Sequence, residues 1–343
     1  MQQDPVHLKL NLLLDANAGF DLAARGTTNH CPMALVALAR MGASPARLQA
    51  FFDMWAREYA LNAVPVGTIV RRHAWWQYLG NQGAFGALRL CFLNWITDVG
   101  ALPVITTVLE EAPFAPATLA FHALIRLAYG MEAKHHGEIA TALAAYVSSH
   151  LPVELELDAS APAESAEAGF ERVIQAMRDV VVPGQSITAR LGVVASDARF
   201  RAAVLAPPAH ACLDELAHAT LRAYWRMPDF TVLHTVTATH AARIVFAGLP
   251  DSMVSRLLPG MWIALCAAYA TIAGRVKETG EVPLAAADWN EVCRMAVASD
   301  DDHVIKMTYT CLCEDRRHPS PLYLASAARL VGVSQAKRKR VPA

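Results

Sequence analysis

The sequence predicts an all-α fold: one large multi-helix domain built as two helical lobes around a central site. Three observations point there. Apolar residues recur at helical spacing along most of the 343 residues, helix-start and helix-stop residues bracket those stretches, and β-branched runs with strict alternation are scarce. Apolar residues make up 54% of the chain and charged residues 18%, a balance that suits a deeply packed protein and argues against long disorder. A chain of this length can bury a substantial core. No solenoid-length repeat is evident.

Taken in order, residues 32–42 open on Pro32 and close on Gly42, the pattern of proline in a first helical turn and glycine past the last. A second helix starts near Ser44 and Pro45, giving a helical hairpin. Similar signals recur at 75–95, 115–129, 138–149, 170–181, 213–224, 231–246, 261–275 and 289–298. Asp300, Asp301 and Asp302 can cap the free N–H groups of one more helix start, which carries His303 and Lys306. Residues 153–158 alternate, but they run into a small, acidic stretch ending at Gly169. Segment 153–169 therefore reads as a surface connection between a lobe of residues 1–152 and a lobe of residues 170–335, with 336–343 a solvated basic tail. Residues 257–274 carry no charge. Pro259 and Gly260 break the beginning of that run, and the remainder falls short of the ~20 residues that span a bilayer, so it reads as a buried core helix.

A net charge of −1 provides no global field for nucleic acid or anionic membrane. The seven cysteines are odd in number and form no Cys-x-x-Cys. With no secretory signal at the N-terminus, they read as reduced thiols of a cytoplasmic protein.

The chemistry lies with the histidines. His30 sits at the start of the first strong helix, where the helix N-terminus disfavours imidazolium and keeps the ring in its metal-binding form. His122 lies in an otherwise apolar helix, with Arg126 and Tyr129 on its own face. His234 shares a face with Thr237; His240, six residues on, does not. His303 and Lys306, three apart, share a face of the last of these helices. A common site would need long-range convergence of four helices. Imidazoles suit iron, copper, zinc or nickel, and such a site would gain from one anionic ligand. Lys306 could supply it as a carbamate formed with carbon dioxide. On spacing alone, pairing of Lys306 with Asp300, Asp301 or Asp302 ranks first.

The segments Thr28-Asn-His-Cys-Pro-Met-Ala-Leu35, Phe121-His-Ala-Leu-Ile-Arg-Leu-Ala-Tyr-Gly130, Leu233-His-Thr-Val-Thr-Ala-Thr-His-Ala-Ala-Arg243 and Asp301-Asp-His-Val-Ile-Lys306 resemble the questin oxidase-like family. The resemblance covers nearly the whole chain. It implies a largely helical fold and an oxygen-dependent oxidation of an aromatic polyketide or quinone, with ring cleavage in the fungal members. It implies Fe(II) held by His30, His122, His234 and His303, with carboxylated Lys306 as a further ligand and His240 in reserve. Older descriptions of the family imply a Baeyer–Villiger oxidation using NADPH; no Gly-x-Gly-x-x-Gly follows a strand here to support a bound dinucleotide. Arg126 and Tyr129 are candidates to orient substrate oxygens and Thr237 to support the ligands from behind, against the plainer readings of a salt bridge or a buried hydrogen bond. Trp75, Trp76 and Tyr78 could line an aromatic pocket or simply pack.

Two other readings stay open. Glu132 with His135 and Glu215 with His218 both read Glu-x-x-His, and with Glu110, Glu111 or Glu171 they could form a di-iron carboxylate centre. A non-catalytic helical small-molecule carrier would need no convergence of histidines.

Overall fold

A computed structural model describes residues 4–209, 211–275 and 287–333, and all structural statements concern these residues. They form sixteen α-helices and a small antiparallel sheet. In chain order the first helices are α1 (Pro5–Asn17), α2 (Cys31–Arg40), α3 (Pro45–Glu58), α4 (Phe85–Val99), α5 (Ala101–Glu111), α6 (His122–Ala133), α7 (His136–Ser148) and α8 (Ala166–Ala176). There follow α9 (Ile187–Ala195), α10 (Ala198–Ala203), α11 (Leu213–Arg226), α12 (Phe230–Phe246), α13 (Asp251–Ala270), α14 (Trp289–Ala298), α15 (Asp302–Arg317) and α16 (Pro321–Leu330). Strands β1 (Phe20–Ala24), β2 (Thr27–Thr28) and β3 (Ala60–Asn62) pair in the order β2-β1-β3.

The all-α expectation holds, and local chemistry explains most of the boundaries. Ser44 accepts a hydrogen bond from the Arg47 backbone N–H and so starts α3. Asp301 does the same for His303 and Val304 at α15. At the centre, α6 packs against α2, α7 and α12, while α15 packs against α2 and α12. Helices α6 and α12 are buried on nearly every side, so the polar groups they carry, among them His122, Arg126, His234 and His240, are enclosed with them. Gly130 allows the close approach of α6 and α7, because a Cβ there would stand 3.0 Å from the Ile139 backbone nitrogen.

Several expectations need correction. Residues 75–95 do not form one helix. A 3-10 helix spans Arg72–Tyr78, the chain turns at Gly80 with φ +77°, a second 3-10 turn spans Gln82–Ala84, and α4 begins at Phe85. The helix expected over 115–129 begins only at His122, because Leu119, Ala120 and Phe121 all adopt left-handed conformations, with φ of 54°, 54° and 70°. Residues 153–158 form no strand and run as irregular chain, but the connection expected over 153–169 stops short, because Ser165 caps α8 and the helix begins at Ala166. Pro259 does not interrupt its helix: α13 runs through it from Asp251 to Ala270. That 20-residue helix is long and apolar enough to cross a membrane by composition, yet 67% of its most apolar stretch is buried in the protein. The basic residues 336–343 lie outside the described residues.

Candidate metal centre

The four histidines converge. Each stands at or near a helix N-terminus: His30 immediately before α2, His122 first in α6, His234 in the early turns of α12 and His303 second in α15. The rings of His30 and His122 stack with centroids 4.4 Å apart, His30 meets His303 edge-on at 4.8 Å, and His122 meets His234 at 4.8 Å. Ligand-type atoms of His30, His122 and His303 lie within 4.8 Å of one another, and His234 joins the trio through His122.

Hydrogen bonds at Nδ1 determine which ring nitrogens are free. His30 Nδ1 and His303 Nδ1 both contact Asp302 Oδ1, at 2.8 and 3.0 Å. His122 Nδ1 contacts the Leu119 carbonyl at 2.6 Å, and His234 Nδ1 contacts the Phe230 carbonyl at 2.7 Å. Carboxylates and carbonyls only accept, so all four rings carry their proton on Nδ1 and leave Nε2 as a lone pair. His303 Nε2 is buried and has no partner. The Nε2 atoms of His122 and His234 face each other at 3.2 Å.

Two lone pairs in contact repel unless a proton or a cation lies between or beside them. A proton is disfavoured. Burial first, then neighbouring imidazoles and Lys306, push His122 and His234 well below the usual histidine range. Burial and Lys306 likewise lower His30 to about 4 and hold His303 down. The positive ends of the helix dipoles act in the same direction. Two nitrogens bonded side by side to one metal at about 2.1 Å stand about 3 Å apart, close to this spacing. The donor set thus fits a metal ion: four neutral imidazoles, each oriented through Nδ1 by an oxygen acceptor in the manner of buried metal ligands.

Asp302 organises the centre. Its Oδ1 also lies 3.0 Å from Lys306 Nζ, and Lys306 is only 3% exposed. Burial alone would raise the Asp302 carboxyl, but Lys306, His30 and His303 hold it well below the ordinary carboxylate range. From its position alone this aspartate reads as a cap or a lysine partner. The cap is Asp301, which leaves Asp302 free to bond His30 and to pair with His303 and Lys306.

The other candidates occupy separate settings. Arg126 makes a two-point ion pair with Glu138, at 2.7 and 3.1 Å, with both side chains buried, while its Nη1 remains unpartnered. The Tyr129 ring lies 5.9 Å from that of Tyr309, and Thr237 Oγ1 donates to backbone carbonyls of its own helix. His240 is engaged elsewhere, through Nδ1 to Glu314 at 2.7 Å, and Glu314 also pairs with Arg243. The Glu-x-x-His residues do not meet. Glu132 accepts from Tyr309 and His135 contacts Asp15, whereas Glu215 accepts from the Ala166 backbone N–H at the start of α8.

A cavity of about 480 Å3 adjoins the centre, within the range of small-molecule sites. Its wall includes Phe20, Phe85, Thr27, Thr28 and Leu119. Thr27 Oγ1 stands 3.4 Å from His30 Nε2, and the Leu119 carbonyl is the one that holds His122. A small void lined by His122 and Arg126 shares Leu22, Thr28 and Leu119 with this cavity. The expected aromatic residues lie apart from it: Trp75 is buried against Phe92 and Trp76 is half exposed. No sequence signal marked the cavity, because its wall is assembled from β1, β2, α4 and the irregular 63–68 segment.

Fold and site together define an all-α protein with a buried polyhistidine centre beside a small-molecule cavity. Residues 27–227 and 209–311 match the family model described as questin oxidase-like, and the chain belongs to the questin oxidase-like family. All four histidines and Lys306 fall within the matched residues. No curated protein matches the chain.

Proposed function

We propose that the protein is an oxygen-dependent oxidoreductase in which Fe(II) is held by Nε2 of His30, His122, His234 and His303, acting on an aromatic substrate of quinone or polyketide type. The observation that carries this reading is the set of four imidazoles whose Nδ1 atoms are all spoken for, leaving four Nε2 lone pairs together beside a cavity. The family's description, an oxidase of an aromatic small molecule, supports it. Bound there, iron would supply the redox chemistry that lets dioxygen react with an organic substrate. The chain's own residues do the rest. Asp302 and two backbone carbonyls fix the imidazole tautomers, so no ring must reorient to bind. Phe20 and Phe85 offer apolar surface to a planar ring, and Thr27, on the same wall, reaches to within 3.4 Å of His30 Nε2. The free thiols of all seven cysteines suit a cytoplasmic setting.

A carbamate on Lys306 is a second part of the proposal. It requires Nζ to leave Asp302, because a carbamate and a carboxylate would repel at the present 3.0 Å contact. NMR of the iron-free protein in labelled bicarbonate reads the modification directly, and an unlabelled Lys306 would remove it from the account.

The reading is tested by oxygen uptake of iron-loaded protein against a panel of polyphenolic quinones. His303→Ala is expected to lose both bound metal and uptake, and Glu215→Ala to keep the metal. Turnover that depends on NADPH and persists without metal would contradict the proposal, as would loss of metal only in the Glu215 variant.

A further inference from the structure

The cavity contains a charged group that the protein itself leaves unpaired. Arg89, on α4, lines it and is half-buried, and among the described residues its guanidinium makes no hydrogen bond or ion pair. The acid that acts on it from nearby, Glu138, is already held at both oxygens by Arg126. Asp21 also lines the cavity, but its Oδ1 accepts from the Ala23 backbone N–H and it forms no pair with Arg89. A guanidinium partly removed from water without a counter-ion is disfavoured, and burial does shift Arg89 downward, although arginine keeps its charge.

Two hydroxyls on the same wall are in a similar condition. Thr28 Oγ1 and Ser148 Oγ are both buried and both lack a partner. The cavity therefore presents a five-donor guanidinium and two spare O–H groups, an inventory that calls for an acceptor-rich, anionic complement.

We infer that Arg89 reads an ionised oxygen on the substrate: the ligand is an aromatic compound bearing a carboxylate or an acidic phenol, with the Thr28 and Ser148 hydroxyls available to the same ligand. This rests on the reading of the cavity as the substrate site, and it narrows the substrate class. Neutral quinones of the same shape are poorer ligands, because they cover the half-buried guanidinium further and leave it unpaired. A carboxylate pairs with the planar fork of arginine at two points, whereas a phenolate pairs at one.

The test is direct binding to metal-free protein, by calorimetry, of three probes on one ring system: anthraquinone carboxylate, hydroxymethyl anthraquinone, and a hydroxyanthraquinone titrated through the ionisation of its phenol. The carboxylate is expected to bind at least about tenfold more tightly than the neutral probe, a difference of about 1.4 kcal/mol. The phenol probe should tighten as it ionises, and an affinity unchanged through that ionisation would limit the site to carboxylates. Arg89→Gln should erase the preference while leaving the neutral probe within about twofold, and Arg89→Lys should restore part of it. The wild-type preference and its weakening by salt test the same point should either variant fail to fold. Equal binding of the acid and neutral probes would overturn the inference, as would equal weakening of both by Arg89→Gln, or no binding of either probe tighter than about 1 mM. Oxygen uptake is measured separately on iron-loaded protein. Selective binding without uptake would count against the oxygenase reading and leave the role of Arg89 standing.

Discussion

Asp302 Oδ1 is hydrogen-bonded to His30 Nδ1 and lies 3.0 Å from both His303 Nδ1 and Lys306 Nζ, so one carboxylate oxygen serves two imidazoles and one ammonium. Replacing it with Asn keeps the size but weakens acceptance, and it offers an N–H2 that can face the ring nitrogens. Asp302→Asn is therefore expected to reduce metal affinity about 10- to 100-fold, the usual effect of losing an oriented hydrogen bond behind a metal-binding histidine. Competition with a chelator measures it, and an unchanged affinity would show that the imidazoles orient themselves. At this scale the sequence was informative about which side chains come together. His30, His122, His234, His303 and Lys306 all stood out as polar groups in apolar helices; the four imidazoles meet, and Lys306 joins them through Asp302. The division of labour between Asp301 and Asp302 was not legible. Adjacent aspartates at a helix start look equivalent until the fold shows which one faces inward.

The turn before α6 delivers His122. Three successive non-glycine residues in the left-handed region cost roughly 1–2 kcal/mol each, and such strain persists only where surrounding structure enforces it. Ala120→Gly should relieve part of that cost and leave stability unchanged or higher. Ala128→Gly, inside α6, should destabilise by about 1 kcal/mol. Denaturant unfolding of both variants checks the contrast, and equal losses would contradict the strain. Apolar periodicity through 115–121 reads as helix, since alanine, leucine and phenylalanine carry no signal for a left-handed turn, so this feature was hidden. A second link between elements is titratable. Against the desolvation of burial, Cys313 and Glu314 raise His240 to about 9, and against the same effect His240 and Arg243 hold Glu314 at about 2. The His240 contribution is complete below its ordinary 6.5 and is lost as pH rises through about 9. The Glu314 contribution is present above 4.5 and is lost as pH falls through about 2. Thermal midpoints of metal-free protein should therefore fall between pH 6.5 and about 9, and His240→Gln should flatten that slope; an unchanged slope would remove His240 as its source.

For the molecule as a whole, the central event is the meeting of four helix starts that are distant in sequence. His30 and Asp302 touch across 272 positions, and His122 and His234 across 112. The all-α class was legible because it follows from local periodicity, and the resemblance marked the residues concerned. The convergence itself depends on how α2, α6, α12 and α15 pack, and the cavity depends on chain segments with no helical pattern, so neither could be derived from spacing. A site that needs the whole fold should in turn support it. Iron at a hundredfold excess over its dissociation constant is expected to add about 2.7 kcal/mol to the unfolding free energy, provided the unfolded chain does not bind it. In His303→Ala the increment should vanish, and an equal gain in that variant would place the metal elsewhere.

The most direct test is anomalous diffraction at the iron edge from crystals of the iron-loaded protein. The account predicts one anomalous peak at about 2.1 Å from Nε2 of each of His30, His122, His234 and His303, the distance expected of an imidazole–metal bond. A peak at Glu132 and His135 or at Glu215 and His218, or none within bonding distance of the four imidazoles, would contradict it.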